Sequence, residues 1–414
     1  MSNHNLSRRE FLISSAIGSA AVALPTILTS SRVFGANDRL SIGIIGAGVR
    51  GTYHLKEIHK ISQDANVEIT AVCDTWKPQR ERAASTLKEW YGKDCRQFSN
   101  YEDLLALDDI DGVIIATPDF SHSKILIDAM KAGKDAYVEK PMANELEEAK
   151  TALAIAAETK RIVQVGTQNR SKGSWKAAVK VVQSGTIGKV SRVEIAWNDS
   201  KARWKRGLEM LDVREEDVDW LRFLMNKPYR PFNPNQYREW QMYREFTNGN
   251  IGLLGSHCLD LVSWIMDDPF PSTAAAHGGK YVWKTGREHE DTVYALYDYP
   301  KGFMCQFLSG FGNSAESICK IYGTNGMLTE EGWKLSGIGG SGTDVIKEES
   351  GIQPEQDENH MQNWFECMHS RKAPNAPIEA GYQHSVACIM GYQALLTGRK
   401  MKYDSVSKTI VEAR

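Results

Sequence analysis

The stretch RLSIGIIGAGVRGTYH places Gly46, Gly48 and Gly51 in GxGxxG spacing directly after an alternating apolar run. A glycine at the first position allows a tight turn, one at the second lets backbone approach a pyrophosphate, and one at the third lets a helix pack on its strand. The helix amino terminus then offers unpaired N–H groups and a favourable dipole to phosphate oxygens. Further on, VEITAVCD ends in Asp74, where an acidic side chain accepts hydrogen bonds from a ribose diol. This pattern predicts a dinucleotide site. Asp74 would repel the 2′-phosphate of NADP, which favours NAD, while Lys77 and Arg80 keep NADP open. A second stretch, NGNIGLLGSHCLDLVSW, sets His257 three residues before Asp260 among glycines and apolar side chains. There the residue types leave two readings: His257 moves a proton, or it fills a core.

The elements around these residues must hold them in one cleft. After Asp74 the chain reads as helix KPQRERAASTLKEWYG, helix YEDLLAL, strand DGVIIAT, helix HSKILIDAMKAG, strand DAYVEKP, helix ELEEAKTALAIAAETK and strand RIVQVGTQ. Such alternation requires a parallel sheet covered on both faces, with ligands beyond the carboxyl ends of its strands. Those ends are ATPDFSH, VEKP and GTQNR. Past Gln168 the pattern changes to a helix, SWKAAVKVVQSG, followed by the strand-like segments KVSRVEIAWN, TVYALYDYP, GFMCQFLSGF and SICKIYGTNGMLTEEG. The expected division is residues 37–169 for a dinucleotide-binding domain and 170–414 for a second domain, whose last helices could pack back on the first. An insert from Lys201 to Arg244 reads as loops with short helices. Its Trp204, Trp220, Tyr237 and Trp240 could stack on a sugar ring or pack against the domain.

Composition narrows the partner. Lys and Arg total 50 against 52 Asp and Glu, so no overall field draws the chain to nucleic acid or anionic lipid, and a small molecule is the expected partner. The seven cysteines are scattered without metal-ligand spacing and read as free thiols, and no metal is expected. Residues 1–36 differ in character: Ser7, Arg8, Arg9, Phe11 and Leu12 precede an apolar run and resemble the twin-arginine export pattern. Export of the folded chain to the periplasm, without stable membrane insertion after cleavage near Gly35 or Ala36, is the corresponding expectation.

In combination GAGVRG, CD, ATPDFSH and EKP, together with the end NAPIEAGYQHSVACIMGYQALLTGRKMKYD, resemble the glucose-fructose oxidoreductase and inositol dehydrogenase family, Gfo/Idh/MocA. The resemblance implies an α/β fold with a Rossmann domain, then an α+β domain whose open, mostly antiparallel sheet supplies the substrate site and often mediates oligomerisation, so a homo-oligomer is expected. It puts Lys140 beside both nicotinamide and substrate hydroxyl, and a lysine in a dry cleft loses proton affinity toward a useful range. Thr117, Pro118, His122 and Glu139 fall on positions used around the nicotinamide and its ribose, although His122 could equally be a helix cap. Gln168 is expected at the cofactor and Arg170 at the substrate, with His257 serving both proton transfer and substrate binding. Relatives commonly carry an aspartate four residues before that histidine, where this chain has Leu253. The implied activity is NAD(P)-dependent oxidation or reduction of a secondary hydroxyl or ketone on a sugar, polyol or glycoside, with tightly bound cofactor. Two alternatives remain open: a glycosidase that works by transient C3 oxidation and elimination, and a sugar-binding protein without chemistry.

Overall fold

The structure, a computed structural model, describes residues 39–206 and 212–413. The expected export segment lies outside the described residues. Six strands, β1 (Leu40–Ile45), β2 (Val67–Cys73), β3 (Arg96–Phe98), β4 (Gly112–Ile115), β5 (Asp135–Val138) and β6 (Val163–Val165), form a sheet in the order β3-β2-β1-β4-β5-β6. All its pairings are parallel, and the connections carry helices α1 (Val49–Ile61), α2 (Lys77–Tyr91), α3 (Tyr101–Leu105), α4 (His122–Lys131) and α5 (Leu146–Thr159). The central strands explain the arrangement. GVII in β4 is buried at every residue, as a strand covered on both faces must be.

The second domain opens with α6 (Gly173–Gln183) and β7 (Val190–Ala196). It continues through short helices α7 (Trp220–Leu224), α8 (Pro234–Arg238) and α9 (Gly249–Leu253) to α10 (Gly255–Met266). Strands β8 (Thr273–Gly279), β9 (Thr292–Tyr299), β10 (Phe303–Gly310), β11 (Cys319–Gly323), β12 (Gly326–Thr329), β13 (Lys334–Ser336) and β14 (Ser350–Gly351) follow. Helices α11 (His360–Ser370) and α12 (Ile378–Thr397) then lead to β15 (Met401–Asp404) and β16 (Thr409–Glu412). The ten strands of this domain form one sheet, antiparallel except where β10 runs parallel to β7. Alternation decides its faces: in β9, Val293, Ala295, Tyr297 and Tyr299 point to the core, while Tyr294 and Leu296 remain exposed.

Two long-range packings place the site. Met361, Trp364, Phe365 and Met368 of α11 join Ile42, Ile44 and Leu55 in an apolar cluster, so a helix near the carboxyl end completes the core of the first domain. Helix α12 contacts both β8 and α5 and thereby spans the two domains. The insert has an apolar cluster of its own, in which Val213, Val218, Trp220, Phe223, Leu224 and Phe246 gather around Phe120 from the first domain. All seven cysteines are free. Among the described residues no helix is long and apolar enough to cross a membrane, and no group of His, Cys, Asp or Glu could hold a metal ion.

Candidate active site

The glycine loop joins β1 to α1 and is shaped by contacts that a side chain would destroy. Gly46 has φ +89°, and a Cβ there would lie 2.7 Å from the Ala116 backbone. At Gly51 a Cβ would lie 2.0 Å from the Gly46 carbonyl oxygen, which fixes how closely α1 approaches the loop. Gly48 differs, since a Cβ there would meet nothing within 4 Å. No side chain caps the first turn of α1, and no acidic residue occupies it. Open space, uncapped N–H groups and the positive end of a helix dipole together fit the pyrophosphate of a dinucleotide.

Asp74 follows β2 at the edge of this cradle. Its Oδ2 accepts from the Ala47 N–H at 2.8 Å and its Oδ1 from the Trp76 N–H at 2.9 Å. These bonds orient the carboxylate toward the loop, and the second lone pair on each oxygen stays available for ribose hydroxyls. Burial raises the carboxyl above its ordinary value, opposed by the same two N–H groups.

Several residues expected at the cofactor also bond protein partners. Glu139 Oε1 receives Arg50 Nε at 2.5 Å, His54 Nε2 at 2.8 Å and Gln168 Nε2 at 3.4 Å. Burial alone would raise the Glu139 carboxyl, yet the His54 bond and the Arg50 charge bring it well below the usual carboxylate range. Gln168 also donates to the Tyr137 hydroxyl at 2.9 Å. His122, buried, has Nδ1 2.8 Å from the Pro141 carbonyl and Nε2 2.8 Å from the Thr117 carbonyl. Burial holds its proton affinity below the ordinary value against the opposing pull of the two carbonyls. Through these bonds Glu139, Gln168 and His122 pin together the strand ends that carry Thr117, Pro118 and Lys140. Thr117 and Pro118 themselves remain partly exposed on the cleft.

Lys140 lies two residues beyond the end of β5, and its bond to Pro141 is cis. Its ammonium donates to the carbonyl oxygen of Leu253 at 2.9 Å. Residue 253 thus reaches the lysine through its main chain, which the side-chain type does not affect, while the leucine side chain itself is buried in the core. Burial lowers the proton affinity of Lys140, opposed by the charges of Glu139 and Asp119.

His257 lies in the first turn of α10, and its ring stacks on Trp197 with centroids 5.5 Å apart. It is partly buried, and among the described residues its ring nitrogens have no hydrogen-bond partner. Burial, and after it the Lys140 charge, pushes the ring down to about 3, so it is neutral at physiological pH and able to accept as well as donate. Arg203, which binds Asp199 at 2.9 Å, lies over the Trp197 ring at 5.8 Å. This is a cleft wall.

The Nε of Arg170 binds both carboxylate oxygens of Asp260 at 3.0 and 2.9 Å, and both residues are buried. The same bond answers the question of an Asp260–His257 pair, since Asp260 faces Arg170 and, at 3.9 Å, His384. The ion pair fastens α10, and hence His257, to the end of the first domain.

The insert packs against the residues that follow β2. Val218 bridges to Trp76, the Asp219 N–H donates to the Thr75 carbonyl at 2.8 Å, and the Tyr237 hydroxyl lies 3.4 Å from Thr75 Oγ1. Arg238 lies over the Trp76 ring at 5.0 Å. Phe223 and Phe246 grip Phe120, next to the strand end that carries Pro118. Trp220 and Tyr237 are therefore packing residues, and Trp204 likewise packs edge-on against Phe311.

Sequence reasoning missed Arg50, His54, Asp119, Asn144, Thr247 and Trp197. The spacing of Arg50 and His54, four apart on one helix face, was a usable signal. Asp119 lay within a motif already singled out. Nothing in the sequence signalled Trp197.

Comparison with known proteins agrees with this geometry. Two family models match: an oxidoreductase family with NAD-binding Rossmann fold over residues 40–167, and the C-terminal alpha/beta domain of the same oxidoreductase family over residues 223–403. A glycosyl hydrolase family 109 protein 2 of Shewanella sp. (strain ANA-3) is 33% identical over 235 residues, covering 51% of this chain and 49% of that protein. An inositol 2-dehydrogenase of Rhizobium meliloti (strain 1021) is 30% identical over 190 residues, covering 45% of this chain and 54% of that one. The chain thus spans about half the length of the curated relatives it matches. Among solved structures, the WlbA dehydrogenase from Bordetella pertussis in complex with NADH and UDP-GlcNAcA shares the fold at TM-score 0.66 and 20% identity, over 88% of this chain and 99% of that one. An aldose-aldose oxidoreductase from Caulobacter crescentus gives TM-score 0.67 at 18% identity, over the same shares. With its glycine cradle, the EKP lysine at a strand end and the mixed second sheet, the chain belongs to the Gfo/Idh/MocA oxidoreductase family.

Proposed function

We propose that the protein is an NAD(P)-dependent oxidoreductase acting on a secondary hydroxyl or ketone of a sugar, polyol or glycoside. The observation that carries the reading is the pairing of Lys140, its ammonium anchored on the Leu253 carbonyl, with a neutral His257 in one cleft beside the glycine cradle. When bound, the nicotinamide supplies hydride acceptance from a carbinol carbon or hydride return to a ketone. In the oxidative direction Lys140, deprotonated, takes the hydroxyl proton, and His257 orients that oxygen. Reduction runs the same proton in reverse.

The insert supports a tightly held cofactor. Releasing a dinucleotide from beneath it would require separating Tyr237 and Trp76, and opening the aromatic contacts on Phe120. Such retention suits a protein exported folded through the twin-arginine route to a compartment without a soluble nicotinamide pool, with the cofactor recycled by a second substrate. The exposed sheet face with Tyr294, Leu296 and Met304 suits a homo-oligomer. Mass spectrometry of purified mature protein should reveal bound dinucleotide, and an empty protein with micromolar or weaker affinity would overturn the retained-cofactor version.

A second reading is favoured by one observation: the side chain at 253 is apolar, and a relative 33% identical over half the chain is a glycosyl hydrolase family 109 protein. In it, transient oxidation at C3 acidifies C2–H, elimination of that proton and the aglycone leaves an unsaturated ketone, water adds at C1 with a proton returned to C2, and the hydride then returns to C3. A screen recording cofactor absorbance and product mass together separates the two, since sugar release without accumulated keto product supports cleavage. Sugar binding without any cofactor reduction across the panel would support a non-catalytic protein.

A further inference from the structure

We propose that Asp119 is a positioning residue whose buried carboxylate works on the Lys140 ammonium from the cofactor side of the cleft, in the place of the carboxylate that Leu253 cannot supply. The inference rests on the reading of Lys140 as the proton carrier.

Asp119 is 1% exposed and lies in the turn after β4, directly beyond Pro118. Its Oδ2 accepts from the Thr247 hydroxyl at 2.8 Å, and its Oδ1 has no protein partner. Thr247 begins the segment that ends on Lys140. Its neighbour Asn248 donates from its side-chain amide to the Asn144 carbonyl at 3.0 Å, and six residues on from Thr247 the Leu253 carbonyl receives the lysine ammonium at 2.9 Å. Asp119 from the turn after β4, and Lys140 and Asn144 from the loop after β5, thus fasten onto seven consecutive residues of the second domain.

The charge balance singles out Asp119. Lys140 is faced by the carboxylates Glu139 and Asp119, by the cations Arg50 and Arg203, and by His257. Glu139 is already matched by the Arg50 and His54 bonds, and Arg203 by Asp199. Asp119 has no ion pair within 4 Å among the described residues, so its field acts on whatever cation is nearby through a medium with little screening. Of the groups facing it, Thr247 and Asn144 are neutral, the Phe120 N–H adds a partial positive charge, and Lys140 is the cation. Burial pushes this carboxyl up to about 7, with the Thr247 bond and the Asn144 amide opposing.

When Lys140 takes a hydroxyl proton, the Asp119 carboxylate stabilises the ammonium. Removing that charge lowers the lysine's proton affinity. The test uses the holoprotein and compares the parent with Asp119→Asn, Thr247→Val and Thr247→Ser. Competitive acetylation followed by peptide mass spectrometry reads the Lys140 titration midpoint directly, and single-turnover rates against pH read the catalytic limb. Asp119→Asn should lower both by about one pH unit or more. Thr247→Val, which makes Asp119 hold its own proton more firmly, should move them the same way by less, and Thr247→Ser should match the parent. An unmoved Lys140 midpoint in Asp119→Asn, whatever the rate, overturns the proposal. If that variant does not fold, the Val and Ser pair decides: a difference between them supports the role and identity rejects it. A midpoint that moves without the rate limb supports the Asp119–Lys140 coupling and rejects Lys140 as the proton carrier instead.

Discussion

The two ends of the cleft are built from different materials. The dinucleotide end is main chain: three glycines, uncapped helical N–H groups and one carboxylate, all within residues 46–74. The end proposed for substrate is an assembly of Lys140, the Leu253 carbonyl, Trp197 and His257, which are neighbours only after folding. The backbone cradle tolerates no side chain at Gly46 or Gly51. A side-chain cleft tolerates local changes but fails when the segments that meet there shift.

The sharpest way to separate the ends is Lys140→Met. Hydride transfer should fall by about 10²–10⁴-fold, the range for losing a general acid or base, with dinucleotide affinity changed only a few-fold. Stopped-flow rates and cofactor fluorescence read the two quantities, and parental activity would remove Lys140 from the chemistry. Gly51→Ala attacks the opposite end. Its Cβ would lie 2.0 Å from a backbone oxygen, so the loop and α1 must part, and we expect dinucleotide affinity to drop by about 10²-fold, on the scale of a 3 kcal/mol loss. Titration calorimetry with NAD checks this, and an unchanged affinity would mean the cradle is not where the pyrophosphate binds.

Leu253→Ala sharpens the comparison within the substrate end. Because the lysine is held by the carbonyl, the rate should change less than about tenfold, while loss of a buried leucine costs about 2–5 kcal/mol in urea unfolding. A large rate loss with little loss of stability would show that the side chain takes part. The smallest effect concerns His257→Gln. In the folded protein the parent ring stays neutral down to about 3, whereas the unfolded chain takes a proton below about 6.5. Parental stability is therefore present above pH 6.5 and falls as pH drops below it, by on the order of 1 kcal/mol at pH 5.5 after allowing for partial exposure. The variant should lack that increment, and parallel stability curves for the two proteins would mean that His257 titrates normally.

Much of the fold was legible because its rules are local. Strand-like apolar runs alternating with helical periods require a covered parallel sheet, whereas its strand order, β3-β2-β1-β4-β5-β6, came from the structure. Legibility ended where residues acquire partners. Arg170, Glu139, Gln168 and His122 have side chains suited to ligand binding, and each also bonds a protein group 5 to 90 positions away. Spacing could not distinguish a carboxylate waiting for a ribose from one already held by Arg50 and His54.

By itself the sequence determined the cradle, since glycine's missing side chain and a strand–turn–helix signal suffice to place N–H groups around a pyrophosphate. It also determined that a lysine follows one strand of the same sheet. Only the tertiary structure decided what that lysine meets. Folding α9 and α10 onto the strand ends presents it with a backbone carbonyl that every residue type carries, and the segment leading into α9 brings Thr247 to Asp119 from 128 residues away. The physical reason is range: steric and backbone preferences act over a few residues, whereas electrostatic partnership in a cleft is fixed by which distant segments the apolar cores bring together.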